Sequence, residues 1–129
     1  MTNTLSRWVV EKGIDKINPS MLSADMKKEV MTEAGLILLK EGRIFEAVKA
    51  ITMADNSSAL LAMGDEFMRQ SKFDQAALAY IPTKDKARIE KAAEECAKQG
   101  NVLVAYYAYV ASGNEQMAAF FKENFCPDA

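Results

Sequence analysis

Apolar residues recur along the chain at spacings of three and four, which places their side chains on one face of an α-helix. The pattern predicts an all-α chain with helices near residues 4–12, 21–41, 44–54, 58–70, 73–81, 84–99, 102–112 and 115–125. The predicted helix starts are marked by side chains that can accept hydrogen bonds from free N–H groups: Ser20, Ser57, Thr83 and Asn114. Pro19 and Pro82 are expected to separate the units, because proline interrupts helical hydrogen bonding.

The helices follow a repeat of 29 residues, and its clearest mark is a small residue that recurs at this interval throughout: Gly13, Gly42, Ser71 and Gly100. Because a left-handed backbone costs glycine nothing, this position suits the end of a helix. Other positions recur in step with it: Ala34, Met63 and Ala92; Leu38, Phe67 and Cys96; Ala47, Ala76 and Ala105; Ala50, Ala79 and Ala108; Ile51, Tyr80 and Tyr109. Each repeat is therefore predicted to be a helix, a tight turn and a second helix.

Helix pairs that repeat every 20 to 50 residues or so are typical of solenoids, in which stacking on the neighbouring pairs completes each apolar core. We predict a right-handed α–α superhelix of about three and a half hairpins, forming a single domain over residues 1–129. Its predicted parts are a degenerate N-terminal unit, three repeat units and a C-terminal capping helix, at residues 1–19, 20–56, 57–82, 83–113 and 114–129. A longer solenoid that continues past the last helix is the alternative.

The composition disfavours most classes of enzyme. The chain carries 16 Lys and Arg against 18 Asp and Glu, and it contains no histidine. The commonest general base, the Ser-His and Cys-His nucleophile pairs and His-ligated metal sites are thereby excluded. We expect no enzyme, no cofactor and no metal. The net charge of −2 also disfavours binding to nucleic-acid phosphates.

Cysteine usage and the distribution of apolar residues bear on location. Cys96 and Cys126 are too few for a disulfide framework, which favours reduced thiols. The N-terminus lacks the pattern of a signal peptide, and the longest apolar stretch, Val102 to Ala111, is half the length of a spanning helix. The sequence therefore predicts a cytoplasmic protein with no membrane span.

The segment from Gly64 to Tyr80, GDEFMRQSKFDQAALAY, follows the pattern G-x-x-[YF]-x-x-x-[GS]-x-[YF]-x-x-A and resembles a tetratricopeptide repeat. Gly35 and Ala93 occupy the position of Gly64 in the flanking units. All of the units, at 29 residues, are shorter than the family's repeat of about 34 residues. The short hairpins are also similar to the α-solenoid arms of coatomer-type and intraflagellar-transport-type coat proteins. Both resemblances imply a helical-repeat protein for interaction or assembly.

The tetratricopeptide resemblance implies a concave groove, to which the equivalent residues Lys40, Arg69 and Lys98 contribute. Asp65 and Glu94 lie beside them at matched positions. We expect these five residues to bind an acidic segment or a C-terminal carboxylate of a partner protein through charge-assisted hydrogen bonds. The alternative is that each basic residue only complements the dipole at the end of its helix.

Opposite charges also recur four residues apart between residues 84 and 98, as Lys86 and Glu90, Lys91 and Glu95, and Glu94 and Lys98. Pairs at this spacing face each other on a helix surface and are typical of a solvated face.

A second candidate surface is aromatic. Phe120, Phe121 and Phe125 form a candidate assembly face, because an apolar face left open at the end of a solenoid favours contact with another chain or another copy. A self-capping tail is the alternative. Tyr106 and Tyr107 cannot both point inward, since adjacent residues of a helix lie about 100° apart. At least one tyrosine is therefore expected to be exposed.

Together these features predict a protein–protein interaction or scaffold module that binds a protein or peptide partner through its concave face. One alternative is a self-assembling solenoid unit, a homo-oligomer that associates through its C-terminal aromatic face. A further alternative is an RNA-binding helical repeat, which the evenly spaced cations favour and the net charge disfavours.

Overall fold

The computed structural model describes residues 4–129, and all regular structure in that range is helical. Its eight α-helices are α1 (Thr4–Lys12), α2 (Ala24–Lys40), α3 (Ile44–Met53), α4 (Ser57–Arg69), α5 (Phe73–Tyr80), α6 (Lys86–Lys98), α7 (Val102–Ser112) and α8 (Glu115–Asn124). Short 3₁₀ turns lie at Ile14–Lys16, Pro19–Met21 and Ile81–Thr83. The all-α prediction is confirmed, and each predicted helix bound lies within three residues of the observed one.

The chain divides into two compact units, the first ending at Leu60 and the second beginning at Leu61. The boundary falls inside α4. The predicted single domain, with its five parts, stays a prediction.

The first unit has its core between α1, α2 and α3. The buried cluster consists of Val9, Val10 and Ile14, with Val30, Met31, Ala34 and Leu38 from α2 and Ala47, Ala50 and Ala54 from α3 and its end. The helices α2 and α3 approach closely at Gly35. A Cβ added to this glycine would lie only 2.9 Å from Cδ1 of Ile51, so a larger residue would not fit without a shift of that side chain. Two 3₁₀ turns follow α1, so the degenerate N-terminal hairpin has no full second helix.

In the second unit, the recurring alanines are buried where helices cross: Ala76, Ala77, Ala79, Ala92, Ala93, Ala105 and Ala108. Gly64 repeats the arrangement of Gly35, since a Cβ added to it would overlap with the ring of Tyr80. Both second-helix residues, Ile51 and Tyr80, thus occupy space that the glycine of the first helix leaves open. The alanine and glycine positions are therefore sites of close helix packing.

The small residue of the repeat ends the first helix of each hairpin, as predicted. The backbone is left-handed at Gly42, Ser71 and Gly100, with φ of 78°, 59° and 82°. The next N–H donates to the carbonyl five residues back at 2.9 Å in all three hairpins: Arg43 to Leu38, Lys72 to Phe67 and Asn101 to Cys96. This hydrogen bond, with a longer one of 3.1–3.2 Å from the N–H three residues on, satisfies a carbonyl in the last turn of each helix.

A second set of left-handed residues, which the sequence did not predict, recurs at the same interval as the small residue. These residues are Asp55, Lys84 and Gly113, with φ of 54°, 61° and 78°. The next residue caps the following helix in each case, because the side chains of Asn56, Asp85 and Asn114 accept from the N–H three residues further on at 3.1–3.2 Å. We name each such pair of a left-handed residue and a cap a joint.

The structure corrects three of the four predicted helix starts, two of them through the joints. Asn114 is a cap, as predicted. Ser57 and Thr83 are not, because Asn56 and Asp85 directly follow the left-handed residues and accept the hydrogen bonds. Ser20 lies in a 3₁₀ turn, and Ser23 caps α2 instead by accepting from the N–H of Met26.

Candidate functional site

Two of the three predicted groove cations are bound by carboxylates of their own helices. Nε of Arg69 donates to Glu66 at 2.9 Å. Nζ of Lys98 lies 3.3 Å from Glu94 and 3.4 Å from Glu95, and these hydrogen bonds raise the pKa of Lys98. All these i,i+3 and i,i+4 partners are exposed to solvent at least in part, so the pairs contribute little to stability. They do offset the positive charge that an acidic partner would meet.

The third cation, Lys40, is exposed on α2 in the first unit. It lies beside a shallow hollow of about 210 Å³ that Glu33, Leu36 and Ile37 complete. Lys40 therefore belongs to a different unit from Arg69 and Lys98, which lie in the second.

Asp65 belongs to a polar network that joins three helices of the second unit. The hydroxyl of the buried Tyr80 on α5 donates to Asp65 on α4 at 2.5 Å. Nε of Arg88 on α6 donates to the same carboxylate at 3.0 Å, and Nη1 of Arg88 donates to Asp85 at 2.8 Å. These contacts lower the pKa of Asp65, with the Tyr80 hydrogen bond the larger cause. Burial and Asp65 together raise the pKa of Tyr80 well above its ordinary value.

This network was missed from the sequence, except for Asp65 itself. Tyr80 recurs in the repeat with Ile51 and Tyr109, and this pattern indicates helix packing rather than a polar contact. Its polar tip was the available signal, since a buried tyrosine hydroxyl needs a hydrogen-bond partner. The network holds α5 and α6 against α4, and it leaves no unpaired acid or base for chemistry.

Cys96 lies on α6, in the second unit. Cys96 is fully buried, and its burial raises the pKa of the thiol to about 11, so it is protonated at neutral pH. Across residues 4–129, no three His, Cys, Asp or Glu side chains are grouped so that they could hold a metal ion. In the same range, no helix has both the length and the apolar character required to cross a membrane.

The candidate assembly face on α8 differs in one residue from the sequence prediction. Phe121 is only 5% exposed, because it turns inward and stacks on Tyr109 with 5.5 Å between the ring centroids. Phe120 and Phe125 are about half exposed, as expected, and their rings contact each other at 6.0 Å. Phe121 is therefore a core residue that supports the face rather than forming it.

The exposed apolar surface extends onto α7. Leu103, Tyr107 and Val110 are about half exposed, and their spacing of four and three places them on one side of that helix. A hollow of about 420 Å³ joins Leu103 and Tyr107 to Phe125. We call Leu103, Tyr107, Val110, Phe120 and Phe125 together the α7–α8 face. Tyr107 confirms the prediction that at least one tyrosine is exposed.

Leu103 and Val110 were not predicted as surface residues. The segment Val102–Ser112 is apolar on nearly every side, so its apolar pattern alone does not distinguish the buried side from the exposed one. The recurring positions Ala105, Ala108 and Tyr109 do mark the buried side, and the structure leaves Leu103, Tyr107 and Val110 on the opposite side.

Replacing Asp65 with Asn should reduce the sensitivity of the fold to acid. The pKa of Asp65 is lowered in the folded chain, so the unfolded chain binds the proton first as the pH falls. The ionised Asp65 carboxylate therefore stabilises the fold fully above the ordinary carboxyl pKa of 3.8. This stabilisation is lost as the pH falls through the lowered pKa that Asp65 has in the folded chain. Because the Asp65 side chain is 38% exposed, solvent screens its ion pair with Arg88. We therefore expect Asp65→Asn to cost no more than about 1 kcal/mol at neutral pH and much less at about pH 2.5, in urea unfolding followed by circular dichroism.

The matched control is Glu29→Gln, which changes an exposed carboxylate of α2. Its effect on the free energy of unfolding should be small at both pH values. If Asp65→Asn lowers the free energy of unfolding equally at the two pH values, the prediction is contradicted, since the effect of Asp65 would then not depend on its charge.

Asp65, Arg69, Glu94 and Lys98 thus lie in local pairs and networks, whereas the α7–α8 face has no cover within the described chain. The tetratricopeptide-like and coatomer-type resemblance stays a prediction. Comparisons of the chain with protein families, with curated protein sequences and with solved structures gave no match.

Proposed function

We propose that the chain is a protein–protein interaction or scaffold module and that it binds through the α7–α8 face. One observation carries the proposal: five large apolar side chains, each about half exposed, lie on α7, on α8 and directly after α8, and three of them, Leu103, Tyr107 and Phe125, line a hollow of about 420 Å³. Apolar patches of this kind on a folded surface mark sites of protein interaction, because water disfavours their exposure.

We further propose that the hairpins stack as a right-handed solenoid. The support is the recurrence of the same backbone geometry once in every repeat, at the turns Gly42, Ser71 and Gly100 and at the joints Asp55, Lys84 and Gly113. Repeated units of one shape in one chain are typical of helical-repeat arrays, which present extended surfaces to partners.

A groove built on Lys40, Arg69 and Lys98 is the weaker candidate for the binding surface. Arg69 and Lys98 already contact glutamates of their own helices, so an acidic partner would have to displace or share those carboxylates. The same pairing disfavours the RNA-binding alternative, which needs cations free to contact phosphates.

Photo-cross-linking tests the interaction role. The photo-cross-linker benzoylphenylalanine is placed at position 107 in the chain, which is produced in cells of the organism that makes this protein. Irradiation should join the chain covalently to a partner protein and yield adducts heavier than 14.3 kDa. The control is the same cross-linker in place of Glu29, an exposed residue of α2 outside the face. No adducts from position 107, or the same adducts from both positions, would contradict the proposal.

A further inference from the structure

We propose that the partner on the α7–α8 face is a second copy of this chain, related by a two-fold axis so that α7 of each copy lies over α8 of the other. This inference rests on the proposed interaction role and names the partner for it.

The first argument is the internal repeat. Leu38, Phe67 and Cys96 occupy equivalent positions in the last turn of a first helix, and all three are buried. Each is followed, through a tight turn, by the second helix of its hairpin, and the α2–α3 and α6–α7 pairs are closely packed. Phe125 is the next member of this series after Cys96, yet it is about half exposed. Phe125, which directly follows α8, is therefore an exposed member of a series whose other members are all covered by helices of their own unit.

The second argument is that α7 is apolar on its exposed side as well as on its buried side. It is itself a second helix, with Ala105, Ala108 and Tyr109 buried in its own unit. Leu103, Tyr107 and Val110 form a further apolar stripe on its exposed side. One copy thus carries both an uncovered first helix and a second helix with a free apolar stripe. Two such surfaces complete each other when related by a two-fold axis, which is the commonest symmetry of soluble oligomers.

The third argument is area. A fully buried aromatic side chain removes about 150–250 Å² from water, so the half-exposed Tyr107, Phe120 and Phe125 present about 300 Å² together. With Leu103 and Val110, the apolar area comes to about 450 Å². A standard interface buries about 800 Å² on each side, of which roughly 57–65% is apolar. The face therefore supplies the apolar share of one side of a dimer.

The charges around the hollow also favour a protein surface as the occupant. Among the described residues that line it, only Asp128 has a charged side chain. Phosphates of a nucleic acid or a membrane would need cations there, whereas a second apolar face needs none.

Sedimentation equilibrium from about 1 µM to about 300 µM tests the proposal on the intact chain. The wild type should shift from 14.3 kDa to twice that mass as the concentration rises. Phe120→Glu places a carboxylate on each side of the two-fold interface, and its half-exposed position allows the chain to fold. We expect it to raise the dissociation constant at least about tenfold.

Phe45→Glu is the matched control, because Phe45 on α3 is 68% exposed and lies outside the face. It should leave the dissociation constant unchanged. Leu103→Glu, on α7, is a second variant that should act like Phe120→Glu, and far-UV circular dichroism verifies that each variant is folded. A folded Phe120→Glu or Leu103→Glu that dimerises like the wild type, or an equal loss in Phe45→Glu, would overturn the proposal.

The outcomes separate the dimer from the broader interaction role. A wild type of 14.3 kDa at every concentration overturns the dimer, while adducts of position 107 with other proteins would still support the interaction role. An adduct of twice the chain mass supports the dimer. A monomeric wild type that also gives no adduct from position 107 contradicts both.

Discussion

Phe121→Ala is expected to lower the free energy of unfolding by about 3–4 kcal/mol. The ring is buried, stacks on Tyr109 at 5.5 Å and meets Phe125 at 5.6 Å, so truncation removes apolar burial and leaves a cavity. Urea unfolding followed by far-UV circular dichroism, on samples dilute enough to be monomeric, measures the loss.

Phe45→Ala is the control for this substitution, because the same chemical change occurs on a side chain that is 68% exposed. Its effect should stay within about 0.5 kcal/mol. A loss in Phe121→Ala no larger than that of the control would contradict the placement of Phe121 in the core. Such a result would mean that Phe121 is part of the exposed assembly face, as the sequence predicted.

Gly64→Ala is expected to destabilise the fold by about 2 kcal/mol, although alanine ordinarily favours a helix over glycine by about 1 kcal/mol. The added Cβ would overlap with the ring of Tyr80. This ring cannot move away cheaply, because Tyr80 is buried and its hydroxyl is hydrogen-bonded to Asp65. Thermal unfolding of the wild type and the variant gives the difference.

A double-mutant cycle isolates the cause. In a Tyr80→Ala background the obstructing ring is gone, so Gly64→Ala should become neutral or stabilising by up to about 1 kcal/mol. The coupling between the two positions should therefore reach about 2–3 kcal/mol. The same cost of Gly64→Ala in both backgrounds would show that the Tyr80 ring is not what excludes a side chain from position 64.

The helices and their first turns could be predicted from the sequence because both depend on neighbouring residues. The spacing of apolar positions determines which segments are helical, and Gly42 and Gly100 end helices through their own backbone freedom. The joints at Asp55 and Lys84 were missed because lysine rarely adopts a left-handed backbone and aspartate does so only occasionally, so neither residue predicts that conformation as glycine does. Their caps therefore appeared one or two residues away from the true positions.

The candidate sites were harder to predict because they depend on which side of a helix is covered. The spacing of Glu94 and Lys98 predicted an ion pair on the surface of one helix, and the structure contains it. The tetratricopeptide resemblance instead predicted that Lys98 contributes to a binding groove, which stays a prediction. On α8, Phe121 follows Ala92 by one period, so it continues the buried series of Ala34, Met63 and Ala92, and the structure buries it against Tyr109. The prediction of Phe121 as part of an exposed face gave more weight to its aromatic neighbours than to this register.

The joints also bear on how the length of such a chain can change. Excision of residues 56–84, one full period of the repeat, would connect the left-handed Asp55 directly to the helix cap Asp85. Excision of residues 85–113 would likewise connect Lys84 to Asn114. Each new connection would keep the order of a left-handed residue followed by a capping side chain. Gain or loss of whole hairpins at the joints is thus compatible with the local backbone chemistry, whereas a shorter insertion between the two residues of a joint would separate the cap from the turn that positions it.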